Sequence, residues 1–458
     1  MRLFTDNPIS STEEDEFGFA PYARILAGTI RDTERLPFCI GIFGAWGSGK
    51  SSFMKMLEVI VTKPPGQSGM KSIWFSPWKY DKKEDLWNAL IQTILYQIAD
   101  DSNNDEIKKK ARNLALSTTW LVLKKSVTAL SAGVVSEGNL DALLKAFGEQ
   151  DALHYQHINH FEEDFKQVID LYTGGTGSGK LVIFIDDLDR CLPENAITVL
   201  ESLKLFIGDA RCIFVLGMDH YVVEWGIRYR FKEEINITGR DYLDKIIQIP
   251  FFLPPVPFAK LQASVADGAG AHVQPEVVWD LVRFGMGGNP RKTKRFVNCF
   301  YLLRQILNNP NTIAPLGNGE KSWGPTVTQT LSEDQQNVHL AKILVFQMNF
   351  PDFYLHLQSH PGDWLYMEKE LIQADDADKR DQALQRNSQL ESFWKDDALR
   401  TFMRNTQHRA NAPYYFPPEA SIVEALLQAV SLVTETPESP SFESPIQSEA
   451  RAEGPVKG

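Results

Sequence analysis

The residues best equipped for chemistry form an octet, Gly44-Ala45-Trp46-Gly47-Ser48-Gly49-Lys50-Ser51, which fits the pattern GxxxxGK[ST]. Glycines let successive backbone N–H groups curl around a phosphate, the lysine brings one mobile positive charge, and the final hydroxyl can ligate a divalent cation. Ser52 extends the run and is grouped with it as a ligand-binding position. The octet follows a short apolar run, PFCIGIF, and precedes the helical spacing Phe53, Met54, Met56, Leu57, Ile60. Strand, loop and helix in that order suit a phosphate cradle. The expected ligand is ATP with Mg2+, Lys50 bridging the β- and γ-phosphates and Ser51 ligating the metal.

A cradle of this kind needs an acidic partner, and the run LVIFI delivers Asp186 and Asp187 at the carboxyl end of a strand with almost no polar alternation. Asp186 is expected to hold the metal together with Ser51, and Asp187 to orient or deprotonate an attacking water. Asp189 and Arg190 follow, read as a local ion pair that shapes the loop, with the alternative that Arg190 reaches a neighbouring subunit's nucleotide. Asp219 closes the next apolar run, CIFVLGM, a place from which a polar side chain can sense the γ-phosphate.

Other signals carry less. A second glycine run, Gly174 to Lys180, mimics the cradle but leads into a strand and has Leu181 where the hydroxyl should be, so it reads as a flexible connector. His154, His157 and His160 recur every third residue, which fans them around a helix rather than onto one ion. Trp74, Trp78 and Trp87 read as core rather than as a stacking platform for a base. No Ser/His/Asp or Cys/His triad is readable, and the second domain shows no nuclease or protease motif.

The elements that must position these residues follow a βαβα rhythm. A second strand is expected over Ser72–Phe75 and an amphipathic helix over Glu84–Ile98, which suggests a parallel sheet. The fold class is therefore α/β: a three-layer sandwich around a mainly parallel central sheet, followed by an α-helical domain. The first domain is expected over residues 1–255 with an insertion at about 101–150, and the helical domain over 256–433. Its helices are expected near Pro275–Phe284, Arg291–Leu307, Glu333–Met348, Asp363–Gln373 and Pro418–Val433. Residues 434–458, rich in Pro, Ser and Glu, cannot bury enough apolar surface to offset their ordering entropy and read as a disordered tail.

Bulk properties narrow the class further. The 458 residues carry a formal charge of -12, which repels nucleic acid and anionic membrane and gives a nucleic-acid partner no support. Leu114–Val135 is the longest membrane candidate, but Lys124 and Lys125 interrupt it, each costing about 2.5–3.5 kcal/mol at bilayer depth. Cys39, Cys191, Cys212 and Cys299 stand singly without metal-ligand spacing, as expected of reduced thiols in a cytoplasmic protein. The N-terminus lacks the basic and apolar regions of a secretion signal.

Taken together, GAWGSGKSS, FSPWKYDKKEDLWNAL, IDDLDRCLPE, YLDKIIQIPFFLP and NPRKTKRFVN resemble the KAP family of P-loop NTPases, over residues of about 15 to 310. The resemblance implies an ATPase whose nucleotide state controls assembly or partner binding, as a homo-oligomer or with another protein. Bacterial and plasmid relatives are associated with phage exclusion and defence. Many relatives carry transmembrane helices between the cradle and the acidic strand, where this chain has an insertion without convincing spans. Arg291, in Asn-Pro-Arg, matches the family's basic motif and is expected to lean over the γ-phosphate, with Lys294 on its helical face and Arg295 beside it. A solvated basic face, or a small patch for nucleic acid, is the plainer reading of all three. Two rival functions stay open: a P-loop kinase acting on a small molecule or protein, and a scaffold that binds ATP without hydrolysing it.

Overall fold

The computed structural model describes residues 3–63, 70–80, 83–116, 161, 163–174, 179–206, 211–230, 239–269, 276–308, 327, 329–374, 376–406 and 419–431. They divide into two compact units, one over Asn7–Pro255 and one over Val256–Gly458 joined by Met1–Asp6. The histidine series, most of the expected insertion, the side chain of Trp87 and the acidic tail lie outside the described residues.

The first unit is built on five parallel strands: β1 (Phe38–Phe43), β2 (Lys71–Phe75), β3 (Leu181–Ile185), β4 (Cys212–Met218) and β5 (Ile249–Phe252). Their order across the sheet is β2-β3-β4-β1-β5. Strands β3 and β4 are buried at every position, which explains their unbroken apolar sequences, since helices cover both faces. One face meets α1 (Ala20–Asp32) and α2 (Lys50–Thr62). The other contributes Ile73, Phe75, Ile183, Ile185, Phe214 and Leu216 to a core shared with α3 (Lys83–Asp101), α4 (Pro193–Phe206), α5 (His220–Arg230) and α6 (Gly239–Asp244). Loops leaving β1 and its neighbour β4 therefore run to opposite faces, and such a switch point opens a crevice at the carboxyl ends of the strands.

Strand β5 and helix α1 escaped the sequence reading. The sequence IPFF is only four residues long and contains Pro250, which has no N–H to donate; the strand tolerates it at the sheet edge, pairing only with β1. Helix α1 ends on an unexpected contact. Lys180, from the second glycine run, points its ammonium at the carbonyls of Ile30, Arg31 and Thr33, at 3.0, 2.5 and 2.5 Å. It caps the carbonyl end of α1, where a cation offsets the helix dipole.

The second unit is helical: α7 (Phe258–Ala269), α8 (Glu276–Met286), α9 (Pro290–Asn308), α10 (Glu333–Asn349), α11 (Pro351–Ser359), α12 (Gly362–Tyr366), α13 (Ala377–Arg386), α14 (Glu391–Lys395), α15 (Asp397–Asn405) and α16 (Ala420–Ser431). Helix α10 opens on a capping box between Ser332 and Gln335 and is buried on almost every side, polar residues included. Its Lys342 is fully buried against Glu368, which also accepts from Trp364 Nε1 at 2.6 Å, while Lys342 donates to the Thr406 carbonyl at 3.1 Å. Glu368 sits in a π-helical stretch, Met367–Ile372, that prolongs α12. Near the start of α9, Arg291 pairs with Asp6 at 3.2 Å, and farther along the helix Asn298 exchanges hydrogen bonds of 3.0 and 2.8 Å with the backbone of Phe4.

No helix among the described residues is long and apolar enough to cross a membrane.

Candidate functional site

The octet forms the loop from β1 into α2. Its first amide, Gly44 N, donates to the Met218 carbonyl at 3.3 Å, which ties the loop to the end of β4. Gly47 and Gly49 take positive φ angles of 83° and 103°, a backbone that side-chain-bearing residues rarely adopt. Gly44 is needed for space, since a Cβ there would stand 2.6 Å from Ser48 Oγ. That hydroxyl is buried and finds no hydrogen-bond partner among the described residues. The first amides of α2, free of intrahelical acceptors, open onto the same loop.

An orphaned hydroxyl, a helix N-terminus and a loop shaped by glycines fit an anion of phosphate size. Lys50 is 7% exposed and donates to the carbonyls of Gly44 and Ala45 at 2.9 and 3.4 Å and to Asp189 Oδ2 at 3.0 Å.

The acidic strand end arrives from β3, two strands from β1. Asp186 N donates to the Phe75 carbonyl at 3.1 Å, and the Asp186 carboxylate accepts from the Asp187 amide at 2.9 Å. The Ser51 hydroxyl stands beside the same carboxylate and stabilises its charge, so two residues singled out from distant motifs are neighbours. Burial pushes the Asp186 carboxyl above the ordinary range, against the pull of Ser51 and the Asp187 amide. Asp187 is also raised, by burial first and by the charge of Asp186 second, with Arg190 opposing. Carboxylates whose charge is penalised in this way gain most from a cation, and Ser51 with Asp186 supplies the oxygen ligands that magnesium prefers.

The turn after Asp187 differs from expectation. Asp189 and Arg190 do not pair with each other: Asp189 turns inward to Lys50, and Arg190 Nε turns back to Asp187 Oδ1 at 2.8 Å. The reason lies in Asp187, the only non-glycine residue with positive φ (62°) among those described, which reverses the chain so that successive side chains diverge. The Arg190 guanidinium lies 5.9 Å from the ring of Trp46 and 5.8 Å from that of Trp78. Both rings are exposed, at 65% and 45%, so Trp78 is not core. Trp74 is half-buried and stacks on Phe184 at 4.9 Å, with the Lys55 ammonium 3.5 Å from its ring.

Asp219 stands where β4 ends, at the crevice, and performs a local task there. Its carboxylate accepts from the Tyr221 amide at 3.1 Å and caps α5, while its own amide donates to Asp189 Oδ2 at 3.1 Å. Beside it a cavity of about 430 Å³ is lined by Gly44, Ala45, Asp219, His220, Arg240 and Phe252, among others. Sequence reasoning missed the inward role of Asp189; the sole available signal was a third acid within Asp-Asp-Leu-Asp.

Residues 19–307 match the P-loop domain of the KAP family. An uncharacterised protein of Methanocaldococcus jannaschii is 26% identical over 163 residues, covering 29% of this chain and 82% of that protein. The phage T7 exclusion protein of Escherichia coli is 23% identical over 269 residues, covering 54% of this chain and 34% of that protein, so the match spans about a third of that relative's length. Among solved structures, the ORC2 protein of Aeropyrum pernix, determined as ADPNP and ADP complexes, aligns with 94% of this chain and 96% of its own at 11% identity and a TM-score of 0.39.

Proposed function

Because this chain belongs to the KAP family of P-loop domains, we propose that it binds ATP with magnesium in the Gly44–Ser52 cradle and hydrolyses it, the nucleotide state governing assembly or partner binding. The observation that carries this reading is the buried ion pair of Lys50 and Asp189 at 3.0 Å, which joins the cradle to the turn that follows the acidic strand end. Backbone amides of the loop and the Lys50 ammonium bind and orient the β- and γ-phosphates. Ser51 and Asp186 hold magnesium, which when bound neutralises charge on the transferring phosphoryl oxygens. Asp187, half-buried beside them, orients the attacking water and accepts its proton.

Asp219 and Arg291 are proposed as nucleotide-sensing groups, the former from the end of β4 and the latter from the helical region, which relays the nucleotide state. The name of the exclusion protein suggests the setting, anti-phage defence, and we propose the same for this chain.

Phosphate release from Mg-ATP without an added acceptor tests the reaction. Release that falls to background in Lys50→Ala and Asp187→Asn, and on chelation of magnesium, supports hydrolysis. A kinase would release little phosphate until an acceptor is supplied, and a scaffold would bind ATP without releasing any. Measuring the native mass with and without Mg-ATP tests the assembly role, since a static monomer gives one mass in both conditions. Restriction of phage growth that survives Lys50→Ala would remove nucleotide control from the defence role.

A further inference from the structure

Two ion pairs leave one short turn in opposite directions. Residues Leu188–Arg190 make a single 3-10 turn directly after the acidic strand end. From it Asp189 reaches Lys50 at 3.0 Å, with both side chains buried, and Arg190 reaches Asp187 at 2.8 Å. The lysine of the cradle and the second acid are thus each held by consecutive residues of the same turn.

An ammonium has three N–H donors. In this structure those of Lys50 have three acceptors: the Gly44 carbonyl, the Ala45 carbonyl and Asp189. A phosphate oxygen can reach Lys50 only by displacing one of them. The two carbonyls are fixed by the loop backbone, whereas Asp189 is a side chain that can turn away, and the anionic phosphate is its direct competitor.

We propose that the Leu188–Arg190 turn is a latch: Asp189 occupies Lys50 in the nucleotide-free protein, and an arriving triphosphate opens it by taking Lys50 from Asp189. The proposal rests on the nucleotide-binding reading above and adds a second state to it.

The surroundings explain how opening would be felt elsewhere. Asp189 Oδ2 also accepts from the Asp219 amide at 3.1 Å, and Asp219 caps α5 through the Tyr221 amide, so a displaced Asp189 loosens the end of β4. Its neighbour Arg190 lies near the exposed rings of Trp46 and Trp78, so the same movement reaches the protein surface. Asp187 holds a left-handed backbone at the root of the turn, a conformation that side-chain-bearing residues rarely adopt and that needs surrounding contacts to persist.

Asp189 acts here through Lys50, as a positioning residue, and the test isolates that coupling. Binding of a non-hydrolysable ATP analogue is measured by calorimetry, with and without magnesium, for the wild-type chain, Asp189→Asn, Lys50→Ala and the double variant. Thermal midpoints of all four are recorded without nucleotide.

The latch predicts that Asp189→Asn lowers the nucleotide-free midpoint, because Lys50 loses its buried counter-charge, and tightens analogue binding about tenfold with or without magnesium. In the Lys50→Ala background the tightening disappears, which a general structural effect of Asp189→Asn would not produce. Unchanged or weakened binding in Asp189→Asn, with wild-type binding intact, overturns the latch and leaves the cradle standing. Tightening that persists without Lys50 also overturns it. A wild-type chain that binds no analogue at all removes the nucleotide reading itself, and the latch with it. Asp189→Ser, read on the same scales, serves if the asparagine variant does not fold.

Discussion

Gly217 of β4 leaves the space that Asp186 of β3 fills: a Cβ at Gly217 would stand 2.7 Å from Asp186 Oδ1 and 2.5 Å from Met54 Sδ. The methionine can swing aside, but the carboxylate is held by the Asp187 amide, so an added methyl group works directly against the acid. Gly217→Ala is expected to lower Mg-ATP hydrolysis at least tenfold and to destabilise the fold by about 1–3 kcal/mol, as overpacking does. Phosphate-release rates and urea unfolding midpoints measure the two effects. An unchanged rate would mean that Asp186 is not where the chemistry needs it.

Removing the cap on α1 should cost stability. Lys180→Met keeps the length of the side chain and deletes its three hydrogen bonds to Ile30, Arg31 and Thr33. Charge-assisted hydrogen bonds contribute roughly 1.5–3 kcal/mol, so a loss of about 2 kcal/mol is expected in chemical denaturation.

How much of this was legible in the sequence depends on the range of the contact. The cradle and the strands β1, β3 and β4 announce themselves because their function or burial is written in consecutive residues. Lys180 drew notice only as an imitation of the cradle, and its work as a cap depends on carbonyls about 150 positions away. Asp189 meets Lys50 across a separation of 139 residues, and no local pattern distinguishes an acid that turns inward from one that faces water. Trp78 carries an apolar ring of the kind that belongs in a core, yet the turn that follows β2 leaves it at the surface. Helix α10 was visible as a helix, but its polar residues resemble a solvated face, and only packing on all sides buries His339, Lys342 and their neighbours.

Acid should weaken the helical unit through His339. Burial, with the Lys342 charge adding to it, holds this imidazole neutral with a pKa of about 3, against an ordinary value near 6.5. Below that ordinary value the unfolded chain takes up a proton that the folded chain refuses, so stability present above it is lost as pH falls. The slope approaches about 1.4 kcal/mol per pH unit between roughly pH 6 and 3. Unfolding midpoints measured across that window should fall with pH, and His339→Phe, which retains a ring against Trp364, should flatten the decline.

The buried pair of Lys342 and Glu368 should show strong coupling. Lys342→Met leaves Glu368 without its counter-charge in a fully buried setting, and an expected loss of about 3–5 kcal/mol follows from stranding one partner. Lys342→Met combined with Glu368→Gln should recover much of that loss, since the amide can still accept from Trp364. Denaturant titrations of the two singles and the double close the cycle.

The strand order also fixes a length. Because β4 lies between β1 and β3, the phosphate loop and the metal-side carboxylate begin two strand spacings apart, roughly 10 Å at about 4.8 Å each. The sheet acts as a ruler that no connecting segment can stretch. Changes between α3 and β3 that keep this strand order therefore leave the gauge of the metal site unaltered, so diversification can collect there while the reaction geometry stays constant.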